Sequence, residues 1–508
     1  MRGLQTPVRA IRRQVFTEVA KLGFKANAET LVADMEAIPY EIVGEDSEVK
    51  YRESIYRARA VVRERLRLAM GLSLRPENKP VHLTAGVEAS NISEKYYEPP
   101  LMQVIPSGCE SCEENKYEVS NVCKGCLAHP CQEVCPRGAI SMVNGKSFID
   151  QDKCIKCGKC KSVCPYDAIA KKERPCKKAC GVNAITSDKL GRAYIDADKC
   201  VSCGMCMVSC PFGAISDKSQ IFQLARALSE GEEIVAEVAP AFVGQFGPNI
   251  NVRNFKAALE ELGFSETYEV ALGADIGAIA EAHHYVNKVT TGELPFLLTS
   301  CCPSWAMLAK KFFPDLIDQI SQELTPMVAT ARTIKQEHPN AKVVFIGPCA
   351  AKKLEAMRRT VRSEVDFVLT FEEMSGIFAA KDLDLENMHE DADGVNDVST
   401  DGRNFAVSGG VAQAVVDVIK KEYPDKEIKI ANAEGLEECR KLMMLASKGK
   451  YNGYLLEGMA CPGGCVAGAG TMQPIKKSQG AVKIYATKAN HKVATETEYV
   501  KELDKLVD

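Results

Sequence analysis

The distribution of cysteine restricts how this chain can fold. Of the 22 cysteines in 508 residues, 16 lie between Cys109 and Cys210. Disulfide scaffolds of this density are typical of short secreted chains with a signal segment, and this N-terminus has no apolar stretch of that kind. We therefore expect metal clusters bound by thiolates in a reducing cytoplasm. A transit peptide is the alternative, because the first residues are Arg-rich and acid-poor.

The remaining composition is that of an ordinary globular protein. Hydrophobic residues make up 46% and charged residues 26% of the chain, which has a formal net charge of −4. This balance gives no electrostatic case for a nucleic-acid partner. No apolar run approaches the roughly 20 residues that span a membrane, so no membrane association is expected. The length suggests roughly three domains.

Residues 1–100 contain no cysteine and end near Pro99 and Pro100. Val8–Leu22 and Glu53–Leu72 carry apolar residues at roughly helical spacing, with Arg and Lys between them. We predict a small helical accessory domain. Its arginines are expected on a solvated helix face, with nucleic-acid binding as the alternative.

Residues 101–220 contain an internal repeat. Phe148–Cys154 recurs as Tyr194–Cys200, and each copy continues as C-x2-C-x2-C-x3-C-P. This is bacterial ferredoxin spacing, in which the fourth cysteine ligates the other cluster of a pair. Zinc is the alternative metal, since zinc ribbons also bind their ion through C-x2-C pairs.

The 16 thiols divide most economically if one ferredoxin unit is nested inside another, giving four 4Fe-4S clusters. The inner two clusters would take Cys123, Cys126 and Cys131 with Cys164, and Cys154, Cys157 and Cys160 with Cys135. The outer two would take Cys109, Cys112 and Cys176 with Cys210, and Cys200, Cys203 and Cys206 with Cys180. Lysines crowd this block and could steer an acidic electron carrier; an ordinary solvated surface is the alternative.

Residues 221–508 alternate strand-like and helix-like segments, which predicts an α/β domain with mainly parallel sheets. The expected strands are Glu233–Val238, Leu294–Leu298, Lys342–Ile346, Val365–Leu369 and Tyr451–Leu456. Helical patterns cover Asn254–Leu262, Trp305–Phe312 and Thr325–His338. Ligand sites in open α/β sheets lie at the carboxyl ends of strands, where three cysteine blocks fall.

These blocks are Thr299–Trp305, Gly347–Lys353 and Glu457–Cys465. They supply five thiols, whereas a 4Fe-4S cubane takes four. The surplus thiol indicates chemistry beyond electron storage. The alternative, five buried structural cysteines, does not explain the flanking Gly and Pro. Cys439 lies outside every motif and is expected to be structural.

The three blocks closely resemble the signature motifs of the iron-only (FeFe) hydrogenases, and the resemblance covers roughly residues 230–470. It implies an H-cluster, in which a cubane is linked to a two-iron subsite with CO, cyanide and an azadithiolate bridge. The implied cubane ligands are Cys302, Cys349, Cys461 and Cys465, with Cys465 bridging to the subsite. Around the subsite the resemblance places Lys352, on a cyanide ligand, and Met459, Pro240, Ala241, Ser300 and Pro348.

The resemblance also implies a proton relay that starts at Cys301. Glu281 matches the first carboxylate of that relay and Ser321 its hydroxyl. The second carboxylate position is His284, which either carries protons near neutral pH or is a plain surface or core-edge histidine. Gly347, where the best-known members have Met, and a different tail after Gly470 indicate a divergent branch.

The expected function is therefore reversible proton reduction to H2. Low-potential ferredoxin clusters near about −0.4 V suit that couple, so reduced ferredoxin is the expected partner, together with maturation proteins for the two-iron subsite. The alternatives are a hydrogen sensor, an iron–sulfur assembly protein and a subunit of an electron-bifurcating hydrogenase complex. Sensors often lack the relay thiol and assembly relatives lack the full first and third motifs, all of which are present here.

Overall fold

The structure, a computed structural model, describes residues 3–25, 27–45, 52–388 and 397–499. The first two and last nine residues of the predicted terminal domains lie outside the described residues. Within the described ranges, no helix is both long and apolar enough to cross a membrane.

The N-terminal residues form helices, two of which the sequence pattern predicts. A helix that the pattern did not predict lies between those two and includes Pro39. The helices are α1 (Pro7–Lys25), α2 (Leu31–Ile42), α3 (Ile55–Ala69) and α4 (Val87–Ser90).

The cysteine-dense block folds into short strands and single-turn helices. The strands are β1 (Met102–Val104), β2 (Lys116–Val119), β3 (Ile140–Val143), β4 (Lys146–Ile149), β5 (Ile169–Lys172), β6 (Ile185–Ser187), β7 (Ala193–Ile195) and β8 (Ile215–Asp217). The helices are α5 (Pro130–Glu133), α6 (Lys159–Ser162), α7 (Pro175–Lys178) and α8 (Met205–Ser209).

The pairing of these strands is itself nested. β2 pairs with β5 around the hairpin β3–β4, and β1 pairs with β8 around the hairpin β6–β7, all antiparallel. The unit from β2 to β5 is therefore inserted whole between β1 and β6. We call residues 113–172 the inner unit and the flanking segments 102–112 and 173–217 the outer unit.

The remainder of the chain is α/β, as predicted. Its strands are β9 (Ile234–Val238), β10 (Glu266–Glu269), β11 (Leu297–Leu298), β12 (Lys342–Gly347), β13 (Phe367–Thr370), β14 (Lys429–Glu434) and β15 (Tyr454–Met459). Its helices are α9 (Ile221–Ser229), α10 (Val252–Leu262), α11 (Ala271–His284), α12 (Pro303–Phe312), α13 (Pro326–Glu337), α14 (Lys352–Glu355), α15 (Phe371–Ala380), α16 (Thr400–Asn404), α17 (Gly410–Glu422), α18 (Leu436–Ala446) and α19 (Ile475–Ala486).

These strands form two sheets, in which every pairing is parallel. One sheet has the order β10-β9-β12-β13 and the other β11-β15-β14. The central strands β9 and β12 are almost entirely buried, as expected of parallel strands covered by helices on both faces. Strands β9 and β12 of one sheet and β11 and β15 of the other deliver their carboxyl-end loops to one shared cavity.

The N-terminal helices share a core with the α/β region. A Cβ at Gly376 in α15 would lie 2.6 Å from Phe16 Cβ of α1, and one at Gly23 in α1 would lie 2.7 Å from Ala225 Cβ of α9. The helix backbones therefore approach closely at glycines. The predicted boundaries at residues 100 and 220 stay predictions, and the packing shows that the first of the three regions is not detached.

The arginines of this region correct the expectation of a solvated helix face. Arg9, Arg59, Arg65 and Arg67 are all buried. Their guanidinium groups donate to backbone carbonyls: Arg59 Nε lies 2.9 Å from Val43 O, and Arg67 Nη1 lies 2.6 Å from Leu83 O. The periodicity located the helices but could not show that carbonyls would satisfy these donors in the interior.

Candidate functional site

The strand-end loops enclose a cavity that collects all five thiols of the three cysteine blocks. Cys301 and Cys302 follow β11, Cys349 follows β12, and Cys461 and Cys465 follow β15. Because the strands within each sheet are parallel, their carboxyl ends lie at one edge, and motifs far apart in sequence meet there.

The cavity is larger than those around the other cysteine groups. Its empty volume is about 780 Å³, against about 320 Å³ for each of three cavities in the cysteine-dense block. The main cavity can therefore hold a larger group than each of the smaller cavities can.

The first block owes its shape to Trp305. The indole is fully buried, and its Nε1 donates to Thr299 O at 2.9 Å across the two cysteines. A Cβ at Gly458 would lie 2.1 Å from the indole ring, so β15 packs directly on this side chain. Pro303 at the first position of α12 sets the chain direction just after Cys302.

The glycines of the third block have a structural reason that sequence reasoning missed. Gly463 and Gly464 have φ of +95° and +90°, a region that favours glycine. A Cβ at Gly464 would lie 2.5 Å from Ser408 N, and one at Gly468 would lie 2.3 Å from Pro348 O. The turn thus packs against the backbone of two other loops, which sets the positions of Cys461 and Cys465.

Lys352 contributes a buried ammonium to the cavity wall. Its Nζ lies 2.6 Å from Glu355 Oε2 and donates to Thr325 Oγ1 at 3.1 Å. Burial opposes the charge, but the Glu355 carboxylate outweighs it and raises the pKa of Lys352. The ammonium at the cavity wall is therefore held as one half of an ion pair with Glu355.

Burial dominates the electrostatics of the five thiols. It raises the pKa of Cys301 and Cys461 well above the ordinary value, and that of Cys349 to about 11. The nearby Glu281 carboxylate raises the pKa of Cys301 further. Without a metal these thiols hold their protons, and binding a cluster must release the protons of the ligating ones.

The predicted lining residues fall into two groups. Met459, Pro240, Ala241 and Pro348 line the cavity. Ser300 does not line it: its hydroxyl donates to Glu323 O at 3.3 Å. This contact holds a neighbouring segment against the strand that leads to Cys301.

The predicted relay residues lie together behind Cys301, outside the cavity wall. Glu281 and Ser321 are both buried, and their side chains are neighbours. Burial raises the pKa of Glu281 to about 8, although the Ser321 hydroxyl lowers it. His284 lies one turn further along α11, with Nδ1 3.3 Å from Glu323 Oε1.

Three smaller cavities gather cysteines from the nested units. The four-cysteine sets that line them are Cys109, Cys112, Cys176 and Cys210; Cys180, Cys200, Cys203 and Cys206; and Cys123, Cys126, Cys131 and Cys164. In the fourth predicted set, Cys160 lies within electrostatic range of Cys154 and Cys157, and Cys135 belongs to the same apolar cluster. Among the described residues, no group of three His, Cys, Asp or Glu side chains converges closely enough to hold a single metal ion.

The outer unit abuts the main cavity. Ser304 Oγ donates to Val201 O at 2.9 Å, and a Cβ at Gly204 would lie 2.4 Å from Ala469 Cβ. Cys203 and Cys302 also pack around one apolar cluster. The set that contains Cys203 is therefore adjacent to the large cavity.

Three features of the site were not predicted from sequence. Phe405 and Ala406 line the cavity from the loop after α16. Glu457 is buried and accepts from Gly409 N and Ala412 N at 2.7 and 2.8 Å, so it caps α17. Glu323 lies beside the relay. Glu457 belongs to the third cysteine block, so its sequence position could have marked it as a site residue. Phe405, Ala406 and Glu323 belong to no sequence motif.

Comparison with known proteins gives three matches to protein-family models. Residues 232–469 match the model described as the iron only hydrogenase large subunit, C-terminal domain. Residues 123–173 match an LdpA Fe-S cluster-binding domain, and residues 193–216 match a 4Fe-4S binding domain. The second match begins at Cys123 and ends just after β5, within one residue of the end of the inner unit.

Curated relatives are distant. The NADP-reducing hydrogenase subunit HndD of Solidesulfovibrio fructosivorans is 28% identical over 49% of this chain and 52% of its own length. The periplasmic Fe hydrogenase large subunit of Nitratidesulfovibrio vulgaris is 27% identical over 51% of this chain and 73% of its own length. The cytosolic Fe-S cluster assembly factor NAR1 of Kluyveromyces lactis is 26% identical over 32% of this chain and 36% of its own length.

Among solved structures, an FeFe-hydrogenase from Chlamydomonas reinhardtii aligns with 54% of this chain and 90% of its own at 21% identity, with a TM-score of 0.46. The chain spans about half the length of the HndD subunit and 73% of the length of the periplasmic Fe hydrogenase large subunit. The matches to family models and to curated relatives support an FeFe-hydrogenase-like family with iron–sulfur-binding domains. One of the curated relatives is named as a cluster assembly factor.

Proposed function

We propose that this iron–sulfur protein catalyses the reversible reduction of protons to H2. The observation that carries the proposal is the collection of five thiols in one buried cavity of more than twice the empty volume of each four-cysteine cavity. Four thiols suffice for a cubane, so both a ligand-free thiol and additional space remain. A simple electron-storage site needs neither.

The residues present fit an H-cluster. Cys302, Cys349, Cys461 and Cys465 would hold its cubane, and Lys352, which lines the cavity, would supply a cation for its anionic cyanide ligands. The soft thioether of Met459 and the apolar Pro240 and Ala241 would surround the two-iron subsite. When bound, the cluster would supply the iron centre at which electrons and protons combine.

The protein's own groups would handle the proton. Cys301 is the thiol not needed as a ligand, and burial keeps it protonated and able to donate. Glu281 lies behind it and could return a proton to Cys301, since its raised pKa keeps the carboxyl largely protonated at neutral pH. Ser321 would link Glu281 to the outside through its hydroxyl.

Electrons would enter through four 4Fe-4S clusters held by the nested units. The set that contains Cys203 abuts the cavity and would be the last of the four. We propose reduced ferredoxin, or a similar low-potential carrier, as the electron partner. Maturation proteins would insert the two-iron subsite, and the protein would work in the cytoplasm.

Infrared spectroscopy of the matured protein tests the proposal directly. We expect bands of metal-bound CO and cyanide together with H2 production from reduced ferredoxin. Absence of those bands after maturation would refute the H-cluster assignment. Iron analysis of unmatured protein should approach five cubanes, and three or fewer would refute the nested cluster assignment.

Cys301→Ser separates the surplus thiol from the ligands. We expect turnover to fall by about 100-fold or more, since a weakly acidic hydroxyl replaces the proton donor, while the infrared bands persist. Cys439→Ala is the matched control. That thiol is also buried, but it donates to the backbone oxygens of Ala433 and Met459 and does not itself line the cavity, so turnover should stay near wild type. Retained activity in Cys301→Ser would remove Cys301 from the relay.

A second candidate is a role in iron–sulfur cluster assembly, which the match to an assembly factor favours. A protein of that class would bind cubanes without metal-bound CO or cyanide. The infrared experiment therefore separates the two candidates. The match to an NADP-reducing hydrogenase subunit favours a variant of the first candidate, in which the chain is one subunit of a larger hydrogenase complex; purification from its native source would recover the other subunits.

A further inference from the structure

We propose that Glu323, acting with His284, is the outermost proton-transfer group of this site. It would take over the role of the second carboxylate, whose position is occupied by His284. The proposal rests on the proposed function, because it concerns the proton supply to Cys301.

The backbone brings Glu323 to the relay. Ile320 bridges to Leu298, and Ser321 N donates to Leu298 O at 2.8 Å. Ser300 Oγ then donates to Glu323 O at 3.3 Å. Residues 320–323 thus run beside the short strand that leads into Cys301, and this places Ser321 and Glu323 next to the last turn of α11.

Helix α11 supplies the other half of the arrangement. Glu281 and His284 are three residues apart, so their side chains lie on one face of the helix. The Ser321 hydroxyl lies beside the Glu281 carboxyl, and Glu323 N donates to Ser321 Oγ at 3.3 Å. His284 Nδ1 lies 3.3 Å from Glu323 Oε1. Two residues from each segment therefore form one cluster.

Exposure increases outward along this cluster. Glu281 and Ser321 are buried, whereas the side chains of His284 and Glu323 are 17% and 31% exposed. The pair can therefore exchange protons with solvent while the inner residues cannot. Within the described part of the chain, Glu281 Oε1 is buried without a hydrogen-bond partner. Buried unpartnered polar atoms are uncommon in folded proteins and are often found where function requires them.

The charges around the cluster are acidic. Glu281 faces Glu323 and Glu457, and both carboxylates help to keep it protonated. The other histidine of α11, His283, turns away and lies 2.8 Å from Glu422. His284 is therefore the basic side chain that the structure places on Glu323.

Proton transfer through the cluster is balanced. Once Cys301 has given up its proton to the site, Glu281 passes its own proton to the Cys301 thiolate. Glu323 or His284 takes a proton from solvent and passes it to the Ser321 oxygen, which releases its own proton to the Glu281 carboxylate. Each group returns to its starting state, one proton has moved inward, and no electron is involved. The opposite direction serves H2 oxidation.

The test follows hydrogen exchange at Glu281 rather than turnover. In protein with its 4Fe-4S clusters but without maturation, the carboxylic-acid infrared band that disappears in Glu281→Gln is assigned to Glu281. Its shift after transfer to D2O is then timed. We expect Glu323→Gln to slow this shift by about tenfold or more, the scale of losing one proton-transfer group, and Glu323→Asp to restore most of the rate.

Glu422→Gln is the matched control, because it removes the carboxylate partner of the neighbouring histidine on the same helix and should leave the rate unchanged. An unchanged rate in Glu323→Gln, or an equal slowing in Glu422→Gln, would overturn the proposal. A slowing confined to His284→Ala would also overturn it by assigning the outer step to histidine alone.

The outcome is separable from that of the proposed function. If matured protein lacks CO and cyanide bands while Glu323→Gln slows exchange, the proton path stands and the hydrogenase assignment fails. If the bands are present and exchange is unaffected, only the role of Glu323 fails. In active protein, Glu323→Gln should also lower turnover without altering the bands.

Discussion

The nested ferredoxin-like units and the α/β region differ in the kind of core that stabilises them. The inner unit has strands of four residues, and its small apolar cluster combines Tyr117, Ile140, Ile149 and Ile169 with buried Cys131 and Cys160. The α/β region buries two parallel sheets in apolar clusters that extend to the N-terminal helices. In the first region the predicted iron–sulfur ligands are part of the apolar core. In the second, the apolar core is complete without them and a cavity is left within it.

The largest expected effect follows from that difference. In protein made without iron–sulfur clusters, we expect residues 113–172 to lose amide hydrogen-exchange protection by about 100-fold or more, because metal binding there is coupled to folding. Strands β9 and β12 should keep theirs, since apolar burial holds them. Exchange measured by mass spectrometry on both forms checks this. Equal loss of protection in the two regions would show that the α/β core also depends on the clusters.

A buried ion pair where the two regions meet gives the next effect. Lys353 Nζ lies 2.7 Å from both Asp217 Oδ2 of β8 and Glu373 Oε1 of α15, and all three side chains are buried. Lys353→Met would leave two carboxylates without their cation, which costs about 3–5 kcal/mol. We expect a lower denaturation midpoint for cluster-loaded protein.

Lys172→Met is the matched control for this prediction. Lys172 also contacts two carboxylates, Glu118 and Glu113, but its side chain is 47% exposed on the inner unit. Exposed ion pairs contribute little to stability, so the denaturation midpoint of Lys172→Met should equal that of the wild type. A comparable loss in both variants would mean that burial is not what distinguishes the pairs.

Local spacing carried the predictions on the cysteine-dense block. A C-x2-C-x2-C run places three thiols around one centre, and the economical division of the 16 thiols among four sets pointed to nesting. The α/β class followed in the same way from alternating segments, and the parallel strands brought the three cysteine blocks together. These inferences needed only short-range pattern and general topology.

What the sequence could not show depended on contacts between distant segments. Glu323 belongs to no motif and becomes relevant only because Ile320 bridges to Leu298. The buried arginines were assigned to solvent because periodicity does not reveal which carbonyls will face a guanidinium group. Ser300 belongs to the first cysteine block, yet its side chain turns away from the cavity to hold Glu323 O.

The smallest expected effect concerns where electrons enter. Cys157 of the inner unit is the one exposed cysteine among the described residues. The side chains of Leu127, Val122 and Ile155 are exposed in the same unit. Lys156 and Lys159 flank Cys157 and form no ion pair within the described ranges. We predict that an acidic carrier binds here, and that Lys156→Glu with Lys159→Glu slows reduction of the protein by about tenfold at low salt.

Salt and a charge-matched control make that prediction specific. Raising ionic strength should slow the wild-type reaction and narrow the difference from the variant, because screening weakens attraction between exposed charges. Lys420→Glu with Lys421→Glu adds the same charge on α17, outside the cysteine-dense block, and should leave the rate near wild type. The comparison uses stopped-flow reduction by reduced ferredoxin. If both double variants slow equally, net charge governs association, and the inner unit is not the site of electron entry.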